Sequence, residues 1–167
     1  MTERLFSKIL VPVDFSSRSE EAYLVALSLA RLYQAEIILL HVVDTTALQA
    51  LNARGLACPS EEAGQRKRLS HQARLSVRRL EQLDEAKGVP IRRVVAQGSP
   101  FVEIVRVTRR ERVSLVVMGS YGGLAASVDK MFFGSTAEKV VRTAGCPVLT
   151  VPVPGPLPSQ QASKQPA

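Results

Sequence analysis

Four short stretches of this chain are apolar at almost every position: KILVPVDF (8–15), AEIILLHVVD (35–44), SLVVMGS (114–120) and CPVLTVPV (146–153). A strand with one face in water alternates apolar and polar residues; a strand covered on both faces does not. Runs of this kind therefore restrict the chain to a mostly parallel sheet with helices on both faces, an α/β fold. A fifth run, IRRVVAQG (91–98), is partly polar and is predicted as a strand nearer an edge.

Between these runs the apolar period changes to that of a helix. Ser17 followed by Glu20 reads as a capping box, and Ala22, Val25, Ala26, Leu29 and Leu32 follow at helical spacing. A long helix is predicted from Glu61 to about Lys87, with Leu69, Ala73, Val77, Leu80 and Leu83 along one stripe. Gly88-Val89-Pro90 stops it. Pro100 opens another helix to about Arg112, with Val102, Ile104 and Val105 inward, and Ser135–Ala144 forms the last. Residues 45–60 form a connection of no clear period. The expected organisation is one α/β domain over 1–153 and a disordered Pro/Ser/Gln-rich tail over 154–167.

In open parallel sheets, ligands bind beyond the carboxyl ends of the strands, where the winding reverses. With the first strand central, that crevice lies between Val13-Asp14-Phe15 and Met118-Gly119-Ser120. The segment GSYGGLAASVDKMFFGST (119–136) starts there. Its glycines Gly119, Gly122 and Gly123 allow backbone N–H groups to approach a phosphate, and Gly134-Ser135-Thr136 adds a helix amino end. A ligand-free account also stands: a glycine turn, then a capping box of Ser135 with Glu138. Asp14 likewise has two compatible readings, as a ligand contact and as a side-chain cap of its own turn.

Several chemistries are excluded. There is no GxxxxGK[ST] and no GxGxxG turn after the first strand. No serine, histidine and acid are spaced as a hydrolytic triad, and no metal-ligand spacing occurs. His41, alone amid Leu39, Leu40, Val42 and Val43, reads as a hydrogen-bonded structural residue. The amino-terminal residues lack a signal pattern, and no run approaches the roughly 20 apolar residues of a membrane span. Cys58 and Cys146 form no pair or cluster; the first reads as an exposed thiol, the second as buried. A cytoplasmic protein is expected.

The net charge is +7, and residues 66–93 hold nine Lys/Arg against three acids. Lys67, His71, Arg74 and Arg78 share one helical face. Neither stacking aromatics nor base-reading side chains accompany them, so this stripe reads as a solvated face and nucleic acid is not an expected partner.

The motifs KILVPVDFS, ILLHVVD, VVMGSYG and GSTAEKVVRTAGCPVLTVP, in this order, resemble the universal stress protein family over residues 7 to about 152. The resemblance implies a doubly wound five-stranded parallel sheet of order 3-2-1-4-5, a Rossmann-like nucleotide-binding α/β architecture. It also implies a homodimer paired through the last strand. One branch of that family binds ATP through G-x2-G-x9-G-[ST]. Gly119 and Gly122 match its first two glycines, and Gly134 and Ser135 match its final pair, although eleven residues separate Gly122 from Gly134. By the same resemblance Asp14 and the Val42 backbone face adenosine, Pro12 and Met118 line the pocket, and Thr136 continues the phosphate cradle. Tyr121 stands where a histidine is common.

Three functions follow: an ATP-binding stress sensor or regulator; a dimeric interaction module of the same fold without nucleotide; and a slow ATPase or autophosphorylating enzyme. In the second, Met131-Phe132-Phe133 would offer an apolar contact to an unidentified protein. Any Mg²⁺ would arrive only with a nucleotide. No residue is identified as catalytic, since no general base is placed for an attacking water. Asp129, in the lengthened loop, would repel phosphates unless a metal bridged them.

Overall fold

The structure, a computed structural model, describes residues 5–54, 59–120 and 134–152. Five strands form one parallel sheet: β1 (Lys8–Pro12), β2 (Glu36–Asp44), β3 (Ile91–Gly98), β4 (Leu115–Gly119) and β5 (Val148–Val151), in the order β3-β2-β1-β4-β5. The helices are α1 (Ser17–Tyr33), α2 (Thr46–Ala53), α3 (Pro59–Glu81), α4 (Pro100–Arg110) and α5 (Ser135–Thr143).

The apolar runs behave as their lack of alternation requires. Ile9, Leu10 and Val11 are all fully buried, but successive side chains enter different cores. Ile9 and Val11 join Ile37, Leu39, Leu115 and Val117 under α1 and α3. Leu10 joins Ile38, Leu40, Val116 and Met118 under α4 and α5. Each central strand thus feeds a core on each face of the sheet. The partly polar β3 lies at one edge and the short β5 at the other.

Local chemistry sets the element ends differently from the sequence expectation at several points. The cap of α1 is Ser16, not Ser17: its carbonyl accepts from the Glu20 N–H and its hydroxyl from the Ser19 N–H. The inward face of α1 is Ala22, Tyr23, Ala26, Leu27 and Ala30, while Leu32 is 74% exposed. Tyr23 sets that face, because its hydroxyl donates to the Leu80 carbonyl (3.1 Å) and ties α1 to α3. The long helix stops at Glu81 rather than Lys87. The Gln82 N–H is shared between the Arg78 and Arg79 carbonyls, and a 3₁₀ turn over Asp84–Ala86 follows. This leaves Leu83 exposed with Leu69, so only Ala73, Val77 and Leu80 of the predicted stripe are buried. In α4, Val102 is exposed while Ile104 and Val107 pack inward. Within the connection 45–60, Thr46–Ala53 is helical, started by the Asp44 carboxylate, which accepts from the Thr46 N–H and hydroxyl.

At the amino ends of the strands, Arg92 bridges Glu36 of β2 and Glu111 after α4. Hydrogen bonds from Arg92 and Arg110 hold the Glu111 carboxyl below its ordinary range. Among the described residues no helix is long and apolar enough to cross a membrane.

Candidate functional site

At the opposite, carboxyl ends of β1 and β4 the chain leaves a cleft of about 270 Å³. Its floor is apolar, from Leu40, Ile104 and Met118, and its rim carries Asp14, Ser19, Ser135 and Thr136. Pro12, Val13, Val42, Pro100, Gly119, Gly134 and Ala137 complete the wall.

The β1 side is held by a compact set of hydrogen bonds. The Val13 N–H continues the sheet by donating to the Leu40 carbonyl (2.8 Å). His41 lies 2.7 Å from the Val13 carbonyl through Nδ1, which must carry the proton because its partner only accepts. Phe15 has a left-handed backbone (φ 63°) and stacks on the His41 ring, with centroids 4.4 Å apart. This conformation is unusual for a bulky residue. The pair turns the chain sharply after Asp14. The Asp14 carboxylate accepts from the Ser16 N–H (3.1 Å) and hydroxyl (2.5 Å), and its own N–H donates to the Ser19 hydroxyl (3.3 Å). The turn-capping reading of Asp14 is therefore present, at the rim of the cleft.

The other wall is the amino end of α5. The Gly134 N–H donates to the Ser120 carbonyl (2.9 Å) and is not aimed at the cleft. The first helical hydrogen bond runs from the Glu138 N–H to the Gly134 carbonyl (3.0 Å). The N–H groups of Ser135, Thr136 and Ala137 consequently have no acceptor within the helix. Among the described residues no side chain caps them either, in contrast to α1. The expected capping box of Ser135 with Glu138 does not form, because Gly134 occupies the cap position and Glu138 pairs with Arg142 (2.9 Å). Three backbone donors and the positive end of a helix dipole thus stand at the rim.

The structure brings Pro12, Asp14, Val42, Met118, Gly119, Gly134, Ser135 and Thr136 around this single cleft. Gly122, with Tyr121, Gly123, Asp129 and Met131–Phe133, lies outside the described residues, as does Cys58. Val13, expected at the crevice, lines the cleft, and Ser19, Leu40, Pro100, Ile104 and Ala137 line it without having been singled out as site residues. The Ser-rich turn after Asp14 is a signal for Ser19. Pro100 and Ile104 carry none, since α4 reaches the cleft only through the reversal of winding between β3 and β4. Cys146 packs half-buried against the core under α5, rather than fully buried, and burial pushes its thiol up. Among the described residues no three His, Cys, Asp or Glu side chains gather as a metal site.

Comparison with known proteins agrees with this architecture. The sequence pattern of the universal stress protein family matches residues 5–152. Universal stress protein MJ0531 of Methanocaldococcus jannaschii is 32% identical over 152 residues, spanning 91% of this chain and 85% of that protein. The solved structure of protein MJ0577 superposes with a TM-score of 0.73 at 26% identity, covering 90% of this chain and 99% of its own. A universal stress family protein of Arabidopsis thaliana, solved with AMP bound, shares the fold alone: TM-score 0.54 at 21% identity, over 94% and 99% of the two chains.

Proposed function

The chain belongs to the universal stress protein family, and from that premise we propose that it is an ATP-binding stress sensor or regulator whose nucleotide occupies the cleft beyond β1 and β4. The observation that carries the reading is the uncapped amino end of α5 at the rim of a cleft with an apolar floor. Donors without acceptors and a positive dipole suit phosphate oxygens, and an apolar floor suits a base. The AMP-bound Arabidopsis protein of the same fold supports a nucleotide as the ligand class.

In this reading Asp14 and the Val42 backbone take the adenosine end, between Pro12 and Met118. The phosphates meet the N–H groups of Ser135 and Thr136, with Gly119 and Gly134 keeping side chains out of the approach. Gly122 belongs to the same cradle by its place in the glycine pattern. Because the Gly134 N–H is engaged by Ser120, Gly134 contributes space rather than a donor. The cleft alone is smaller than common ligand pockets of about 300–1,000 Å³. It therefore suits the nucleoside part, with phosphates extending along the rim. No step of hydrolysis is assigned to any residue, and Mg²⁺ would accompany the nucleotide. The same reading carries a cytoplasmic homodimer joined through β5 and acting on a protein partner.

The test is calorimetric titration of nucleotide-stripped protein with Mg·ATP, with AMP and GTP as controls. Saturable, near-stoichiometric binding with AMP weaker is the expected result. No heat up to millimolar ATP would refute the reading. It would leave the α5 start as a helix end in an interaction module of the same fold.

A further inference from the structure

The basic stripe Lys67, His71, Arg74 and Arg78 is exposed, as a solvated face requires. Arg74 stands on the rim of an open groove of about 490 Å³, lined also by Val77 of α3 and Arg93, Val94 and Val95 of β3. The groove runs where α3 overhangs β3, an edge strand that pairs with β2 on one side and with no strand on the other among the described residues. Ile91, Arg93, Val95 and Gln97 alternate onto the α3 face of β3. Ile91 and Val95 pack into the core beneath α3, Arg93 pairs with Glu81 (3.1 Å), and Gln97 donates to the Ser70 hydroxyl (2.8 Å).

The charge on this overhang is unbalanced. Elsewhere on the surface Arg92, Arg106, Arg110 and Arg142 are each within 3.3 Å of a carboxylate. Lys67, Arg68, Arg74, Arg78 and Arg79 are exposed and form no ion pair among the described residues. Leu75, 51% exposed, lies among them on the outer surface of α3.

We propose that the β3 edge and the overhanging α3 arginines form a docking groove for an acidic extended segment of another protein, added to the sheet beside β3. Main-chain hydrogen bonds to the free edge of β3 would supply affinity, and alternate side chains would supply selectivity. In a strand beside β3, every second side chain faces α3, where carboxylates meet Arg74 and, one helical turn on, Arg78. A second copy of this chain is a poor occupant, because β3 against β3 would set Arg92 and Arg93 against their own counterparts. The carboxyl-terminal residues 153–167 contain no Asp or Glu, so they lack the charge to fill it. Charged residues on an edge strand also guard against indiscriminate pairing. Arg92 and Arg93 do this for apolar strands while leaving acidic ones admissible. A nucleic acid is disfavoured, since no aromatic lines the groove and its floor is valine. The site is independent of the nucleotide cleft.

The test uses the full chain and a fluorescein-labelled, end-capped peptide of alternating Glu and Val, read by anisotropy at low and high salt. The expected result is saturable binding that salt weakens, at least about tenfold weaker for Arg74→Glu/Arg78→Glu, and absent for a control peptide of alternating Lys and Val. Amide exchange over 91–98 should slow on binding. Neither arginine is ion-paired, so the double variant should fold; Arg74→Ala/Arg78→Ala serves if it does not. Absence of binding, equal binding to the variants, or no slowing over 91–98 would each overturn the proposal. So would tighter binding of duplex DNA or anionic vesicles than of the acidic peptide.

Discussion

A glutamate at the first position of α5 separates helix chemistry from ligand chemistry at a single residue. A negative side chain at a helix amino end is favourable by about 0.3–1 kcal/mol. Ser135→Glu should therefore leave the melting temperature unchanged or slightly raised. The same carboxylate beside bound phosphates repels them, so affinity for ATP should fall at least about tenfold, measured by calorimetry. Retained affinity would place the phosphates elsewhere. Tyr23 offers a second test at this scale. Burial, with a contribution from Glu81, pushes its phenol up to about 12, from an ordinary value near 10. The folded state holds the neutral phenol, so this contribution is intact below about pH 10 and is lost as pH rises towards 12. Tyr23→Phe should lack that loss: its denaturation midpoint relative to the parent should rise between pH 10 and 12. At pH 7 it should be less stable by about 1 kcal/mol, for the hydrogen bond to Leu80.

At the scale of elements, two of the helices that border the cleft, α1 and α5, begin in opposite ways. Helix α1 is capped by Ser16, whose hydroxyl is in turn held by Asp14 at the rim. Helix α5 starts from Gly134 with no side-chain cap among the described residues. Ser16→Ala should cost about 1 kcal/mol in denaturant unfolding. It should also loosen the Asp14 turn, weakening binding of adenosine as well as ATP. An equal loss for Ser135→Glu with adenosine would contradict the division of the cleft into a nucleoside end and a phosphate end. Helix boundaries were the least legible part of the sequence. Ser16 and Ser17 offer the same side chain one residue apart, and only the Glu20-to-Ser16 hydrogen bond distinguishes them. The end of α3 was hidden for a similar reason, since Leu83 continues the apolar period past the last helical turn.

For the whole molecule, the two sheet edges differ in length and charge. Strand β5 is short, its neighbours carry little charge, and Leu149 is 38% exposed on it. Strand β3 is longer and carries adjacent arginines. If the proposed homodimer joins through β5, Leu149→Asp should shift the mass measured by light scattering from dimer towards monomer while leaving the fold intact. A dimer unaffected by this change would move the interface away from β5.

Fold class was legible because continuous apolar runs admit only a sheet covered on both faces, whereas the central place of β1 was implied by the family resemblance. The positions at the carboxyl ends of β1 and β4 followed from that order. Ligand crevices in such sheets follow from strand order, and glycine patterns mark where backbone comes close. What the linear pattern does not carry is which residues from distant elements share a wall. Pro100 and Ile104 reach the cleft, and Arg74 reaches the β3 edge, only once the chain has crossed from one face of the sheet to the other. The same holds for the fate of individual polar groups. Whether Ser135 caps a helix or leaves its N–H groups open, and whether Arg78 meets a carboxylate, depends on partners brought from elsewhere in the chain, because hydrogen bonds and ion pairs are decided by distances in space that a periodicity along the sequence does not encode.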